Sequence, residues 1–222
     1  PDLQGYYGEY YFLPEQSLQY VKENTSKQLA IILNEKDVRV EMLDELLNPC
    51  KGIIKLVRIA IDPKNFSRAL LLAEGIKKRG FEVGFNVMYM SSWSEYPDMI
   101  SQLEGIEEVV DYFYMVDSFG GVYPSDVRST IRMIRSKTKV PIGFHGHNNL
   151  ELALANTLAA IDEGVEIVEA TITGMGRGAG NLKTELLLTV LDQKNLIKTD
   201  FNALSETTVD FQNLQDSYKW GT

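Results

Sequence analysis

The only two histidines of this chain, His145 and His147, stand two residues apart at the end of a short apolar run, Val140-Pro-Ile-Gly-Phe-His145-Gly-His147. Residues i and i+2 of an extended strand point to the same side. Both imidazoles therefore face one point, where they can take two adjacent positions on a divalent ion. The pair does not by itself choose among zinc, manganese and magnesium. A second chemical stretch is Thr173-Gly-Met-Gly-Arg-Gly-Ala-Gly-Asn181, with four alternating glycines. It is either a flexible connection or a loop whose backbone comes close to a ligand, where side chains would clash. Asn181, shortly before a predicted helix, is either a helix cap or an oxygen ligand to the ion.

Other polar residues interrupt apolar runs. Asp117 ends one, in Asp117-Ser-Phe-Gly-Gly121. An acid there is a turn former, or it orients a histidine or a metal-bound water. Arg58 and Asn86 lie inside strand-like runs. A buried arginine needs an anionic partner. For Arg58 that is a substrate carboxylate gripped through two nitrogens, or a polar layer filling a barrel. Asp117, Arg58 and Asn86 are the candidate catalytic residues, and His145, His147 and Asn181 the candidate metal ligands. Cys50, beside Pro49 in a turn region and without a nearby histidine, reads as inert. Tyr6, Tyr7, Tyr10, Tyr11 and Phe12 read as packing or an interface, which leaves a homo-oligomer open.

Short β-branched and aromatic runs alternating with helical patterns must position these residues. Strands are expected over 29–33, 54–61, 82–90, 109–116, 140–147 and 165–173. Helices are expected over 37–47, 62–79, 96–103, from Pro124 past Ile134, over 150–163 and over 184–194. Phe66, Leu70, Ala73 and Ile76 share one helical face, stopped by Gly80, and Leu154, Leu158 and Ile161 form the inward face of a later helix. Six βα units without a hairpin signal predict a parallel sheet covered by helices. No Gly-x-Gly-x-x-Gly follows the first strand, which argues against a dinucleotide-binding sheet. Asn86, Asp117, both histidines and the glycine loop fall at the C-terminal ends of different strands, as residues at a barrel mouth do. The expected fold is a (β/α)₈ TIM barrel of which six units, strands 3–8, are present. Residues 1–197 would form the partial barrel and 198–222 the start of a longer C-terminal tail.

The 222 residues, 44% hydrophobic, suffice for one sizeable core. With 22 basic and 31 acidic side chains the formal charge is −9, and no basic stripe appears. Nucleic acid and anionic membrane surfaces are poor partners for such a chain. A single cysteine forms no internal disulfide and fits a reducing compartment, with the cytoplasm as default. The most apolar run, 53–61, is broken by Lys55 and Arg58 and is too short to span a bilayer.

Three motifs together resemble a known superfamily: Gly143-Phe-His-Gly-His-Asn-Asn149 with Leu154-Ala-Asn156, then Asp117-Ser-Phe-Gly-Gly-Val-Tyr-Pro124, then Gly174-Met-Gly-Arg-Gly-Ala-Gly-Asn-Leu-Lys-Thr-Glu185. Their order and spacing over residues 54–190 are similar to those of the metal-dependent aldolases and lyases. That group includes 4-hydroxy-2-oxovalerate aldolase, 3-hydroxy-3-methylglutaryl-CoA lyase and the isopropylmalate synthases, and the aldolase branch matches best. The resemblance implies a (β/α)₈ barrel with a divalent ion held by the two histidines, an aspartate of the first strand and, in the lyase branch, the asparagine of the Gly-Asn pair. His145, His147 and Asn181 match three of these. The aspartate is absent, as are the arginine and catalytic histidine that the aldolase branch carries beside it. All three belong to a first strand that this sequence lacks, since it reads as beginning after the second. The implied reaction is retro-aldol cleavage of a hydroxy-oxo acid, with the ion as Lewis acid stabilising the enolate. The general base stays unassigned, and the implied partner is a small oxo-acid substrate. An uncharged set of two imidazoles and one amide implies weak metal binding by the chain alone.

Other readings have their own requirements. An acyl-transferring synthase of the same superfamily shares the motifs. A Schiff-base aldolase needs a lysine at the mouth end of a strand, whereas Lys55 lies near the opposite end. An amidohydrolase-like barrel carries its His-x-His on the first strand, and here the pair is on the fifth visible one. A non-catalytic barrel that binds a metabolite or a protein is the reading from a different class.

Overall fold

The computed structural model describes residues 9–221. Tyr6 and Tyr7 lie outside the described residues. The chain opens with α1 (Glu9–Phe12) and α2 (Glu15–Asn24), then alternates. β1 (Leu29–Asn34) precedes α3 (Leu43–Leu47), β2 (Ile54–Ile61) precedes α4 (Phe66–Lys77), and β3 (Glu82–Val87) precedes α5 (Pro97–Ser101). β4 (Tyr112–Asp117), α6 (Pro124–Arg135), β5 (Ile142–Gly146), α7 (Ala153–Asp162) and β6 (Ile167–Val168) follow. α8 (Thr184–Gln193) and α9 (Phe201–Tyr218) close the described chain.

All neighbouring strands are parallel, and their order in the sheet is their order in the chain, β1 to β6. A doubly wound sheet reverses its order at a switch point. This one does not, so it runs one way like an arc of barrel wall. The arc leaves β1 and β6 as its outer edges. An apolar groove of about 730 Å³ flanks β1, lined by Tyr10, Tyr11, Phe12, Leu18, Ile31 and Leu46, among others. Among the described residues no helix is long and apolar enough to cross a membrane.

The two faces of the sheet differ because strand side chains alternate. Val57, Ile59, Ile61, Val83, Phe85, Val87, Phe113, Met115, Ile142 and Phe144 are buried in one core with the helices. Phe66 of α4 meets Phe85 edge-to-face at 5.4 Å, and Trp93 meets Phe113 at 5.9 Å. The opposite face carries Arg58, Asn86, Tyr114 and His145. Two glycines leave room for it. A Cβ on Gly143 would lie 2.3 Å from the Tyr114 ring, and one on Gly84 would lie 3.1 Å from Arg58 Cγ.

The structure corrects several expected bounds. The element expected over 37–47 is a 3₁₀ turn (Val40–Met42) followed by α3. The strand expected to reach residue 90 ends at Val87, because Tyr89 turns into the left-handed region (φ 59) ahead of a 3₁₀ segment. The fourth strand begins at Tyr112, three residues later than expected. α7 begins at Ala153, because Glu151 adopts φ 57 and Asn148 Oδ1 accepts from the Ala153 amide. The fully buried face of α7 is Ala153, Asn156, Thr157, Ala159 and Ala160, while Leu154, Leu158 and Ile161 are half-buried. The strand expected over 165–173 shrinks to two residues, because an edge strand pairs on one side only and its far end turns into a 3₁₀ segment (Ile172–Gly174). The sequence pattern predicts none of α1, α2 and α9.

Candidate metal centre

β5 and the bridge residue that follows it deliver His145 and His147 to one side, as extended backbone requires, with ring centroids 4.9 Å apart and planes at 78°. Two imidazoles bound cis to an ion at ~2.1 Å place their centroids roughly 4.6 Å apart. His147 Nδ1 lies 2.8 Å from the backbone carbonyl of Asp117. A carbonyl only accepts, so this nitrogen carries the proton. His145 Nδ1 lies 2.9 Å from Glu169 Oε2. Burial pushes the Glu169 carboxyl up, but its bonds to His145 and Arg58 outweigh that and hold it below the usual carboxylate range. It is a carboxylate, and His145 Nδ1 is the donor. In the neutral form of each ring, Nε2 then keeps a free lone pair, the state a metal ligand needs. Burial lowers the His147 pKa, which favours its neutral form.

The glycine loop brings Asn181 beside this pair. The Asn148 amide donates to Gly180 O at 2.9 Å, the Leu182 amide donates to Gly146 O at 3.2 Å, and His147 and Asn181 form an antiparallel bridge. Asn181 Nδ2 donates to Met175 O at 2.8 Å. Its Oδ1 is buried and has no partner among the described residues. A buried acceptor left unpaired costs free energy, and a cation beside the histidines would satisfy it. Asn181 does not cap α8, which begins at Thr184 after Lys183. The glycines are sterically needed, since a Cβ on Gly176 would lie 2.7 Å from Asn181 Nδ2 and one on Gly180 2.3 Å from Gly174 O. Two Nε2 atoms and one orphaned amide oxygen therefore fit part of a divalent-ion site. No cluster of three or more His, Cys, Asp or Glu able to hold a metal occurs among the described residues.

Glu169 was missed in the sequence. The signal was an acid inside the sixth expected strand, the same kind of signal that singled out Arg58 and Asn86. Its amide donates to Phe144 O at 3.2 Å, which sets its side chain next to His145. Its other oxygen meets Arg58 Nη1. Arg58 Nε donates to Asn86 Oδ1 at 2.7 Å, and the guanidinium lies 3.9 Å from the centre of the Tyr114 ring. Arg58 and Asn86 thus belong to a polar layer leading to His145. Asp117 has no exposed surface, and burial raises its carboxyl pKa. That carboxylate accepts from the amides of Gly121 and Val122, so its side chain shapes the turn while its carbonyl holds His147. Cys50 is buried, and burial raises its thiol pKa, in keeping with inertness.

A one-way parallel arc with a donor set at the C-terminal ends of its strands defines a TIM-barrel-like α/β protein. The HMGL-like family model matches residues 57–218, and the chain belongs to that family. It is 40% identical over 157 residues to a 4-hydroxy-2-oxovalerate aldolase of Geobacillus thermodenitrificans, covering 68% of this chain and 44% of that protein. It is 33% identical over 169 residues to an oxaloacetate decarboxylase of Mycobacterium tuberculosis, covering 71% and 50%. The chain spans about half the length of the curated relatives it matches. Among solved structures, the N-terminal domain of a candidate aldolase from Bacteroides vulgatus superposes with TM-score 0.96 at 48% identity, over 100% of this chain and 74% of that one. The carboxyl transferase domain of Rhizobium etli pyruvate carboxylase, solved with pyruvate, shares the fold at TM-score 0.67 and 18% identity, over 81% of this chain and 33% of that one.

Proposed function

We propose that this chain is part of a divalent-metal-dependent carbon–carbon lyase acting on a hydroxy-oxo acid or a related small acid. The observation that carries the reading is the donor set: two imidazoles whose Nδ1 atoms are both held by acceptors, beside the orphaned Oδ1 of Asn181. His145, His147 and Asn181 would hold the ion. A divalent cation bound there supplies Lewis-acid chemistry to the oxygens of an oxo acid. The protein's own residues orient the donors. Glu169 fixes the tautomer and ring plane of His145, and the Asp117 carbonyl does the same for His147. Arg58 holds Glu169 in place, and Asn86 in turn holds Arg58. The aldolase and decarboxylase relatives both act on small oxo acids, which supports that substrate class.

The reading includes two further strands that complete an eight-stranded barrel and bring a carboxylate ligand not found among the described residues. The open edge of β1 with its apolar groove, and the one-way strand order, support it. The described residues up to 197 then form the barrel part and those from 198 on a C-terminal segment. The break between α8 and α9 supports that boundary.

The test is His145→Ala in the complete protein, assayed for metal-dependent release of pyruvate or another oxo acid in a coupled dehydrogenase assay. At least a 100-fold loss is expected, since even partners of metal ligands are worth about 10–100-fold. Activity within a few-fold of the parent refutes the metal assignment.

A further inference from the structure

We propose that Trp220 is a positioning residue for Asn181, acting through a strained threonine at the start of the glycine loop. The proposal rests on the reading of Asn181 as a metal ligand. Thr173 has φ 53 and ψ 16, in the left-handed region. For a β-branched residue that is a genuine outlier, and such residues persist only where their surroundings over-determine them. Thr173 is 4% exposed and held from three directions. Its amide donates to Glu185 Oε2 at 3.1 Å, and its hydroxyl donates to Ile172 O at 2.7 Å. The same hydroxyl accepts from the Trp220 indole N–H at 3.2 Å.

Trp220 reaches this point because α9 ends in a left-handed cap at Lys219, φ 55. The turn beyond is tied down. Gln215 Nε2 donates to Trp220 O at 2.7 Å, and the Gly221 amide donates to Gly178 O at 3.2 Å. The turn at 219–221 therefore grips the glycine loop at two places, Thr173 and Gly178. The residue after Thr173 makes the connection to the site, since Gly174 O accepts from the Asn181 amide at 3.0 Å. Rotating Thr173 back to an ordinary φ would turn that carbonyl away from Asn181. An indole N–H can only donate, and here its acceptor is the hydroxyl of the strained residue. The contact thus specifies a conformation, which general packing would not.

The test uses the full-length protein, Mn²⁺ as probe followed by the spectrum of the free ion, and amide hydrogen exchange. Trp220→Phe keeps the ring packing and removes the donor. The Mn²⁺ dissociation constant is expected to rise about 5-fold, the value of one net hydrogen bond. The Asn181 amide should exchange faster by a similar factor, with the amides of β4 and β5 unchanged. In an Asn181→Ala background Trp220→Phe should leave Mn²⁺ affinity within two-fold. Thr173→Gly, which adopts the left-handed region without strain, should remove the sensitivity to Trp220→Phe. Equal weakening in both backgrounds, or unchanged Asn181 exchange in Trp220→Phe, overturns the proposal. If Mn²⁺ binding is indifferent to His145→Ala, the metal reading fails by itself. The exchange measurement still decides whether Trp220 positions Asn181: faster exchange upholds the link and unchanged exchange overturns it.

Discussion

Glu169→Gln separates the two partners of this carboxylate. Glu169 accepts from His145 Nδ1 at 2.9 Å and pairs with Arg58, and the Glu169 and Arg58 side chains are 19% and 17% exposed. Glutamine keeps the shape and one acceptor oxygen but removes the charge. Breaking a fully buried pair costs about 3–5 kcal/mol. Here Asn86 and the Tyr114 face still hold the guanidinium, and some solvent reaches it. A loss of about 2 kcal/mol is therefore expected, or roughly 4–8 °C in Tm for a chain of this size. The effect on metal binding is separate. Losing the carboxylate behind a ligating histidine weakens affinity about 10–100-fold, equal to about 1.4–2.7 kcal/mol. The assays are thermal unfolding without metal and Mn²⁺ titration of the complete protein. Adding Arg58→Met should recover stability, because no charge is then stranded, and should leave metal affinity low. Mn²⁺ affinity within two-fold of the parent in Glu169→Gln would refute the orienting role, as would its recovery in the double variant.

Three further outcomes follow from other parts of the structure. Gly143→Ala places a Cβ 2.3 Å from the buried Tyr114 ring and should cost about 1–3 kcal/mol. Gly121→Ala has open space at its Cβ and should stay within about 0.5 kcal/mol. Denaturant unfolding compares the two, and equal stabilities refute the close-contact account. Glu163 joins α7 to α6 through Arg132 and Arg128, and its hydrogen bond from Arg132 leads in holding its carboxyl below the ordinary range. Between that lowered folded value and the unfolded value near about 4.3, the unfolded chain binds more protons, so the contribution is full above the window and fades as pH falls through it. The Tm difference between parent and Glu163→Gln should therefore shrink from about pH 7 to about pH 3, and a constant difference counts against the ion pairs. Cys50 should resist a thiol reagent until the chain unfolds, and rapid labelling of the native protein contradicts its burial.

Regular periodicity carried most of what could be read in advance. The histidine pair was legible because a two-residue period puts His145 and His147 on one side whatever the rest of the chain does. The βα rhythm was legible for the same reason, although the bounds slipped wherever a side chain or a left-handed residue decided them, as at Tyr89 and Glu151. Asn181 was ambiguous because cap and ligand share a local sequence. The position of α8 removes the cap, and the orphaned Oδ1 supports the proposed ligand role. Arg58 was equally open between substrate and polar layer, since its partner Glu169 lies 111 residues away.

The sequence by itself determined the class of architecture, the pair of imidazoles and the glycine loop, because each depends on residue types at short, fixed spacing. Only the tertiary structure decided the one-way order of the strands, the union of Arg58, Asn86, Glu169 and His145, and the grip of Trp220 on Thr173. Those contacts join segments far apart in the chain, and no local propensity encodes which distant partner will arrive. The centre begun by His145 and His147 takes its orientation from the carboxylate of Glu169 and the carbonyl of Asp117, two acceptors that reach them only when β4, β5 and β6 lie side by side.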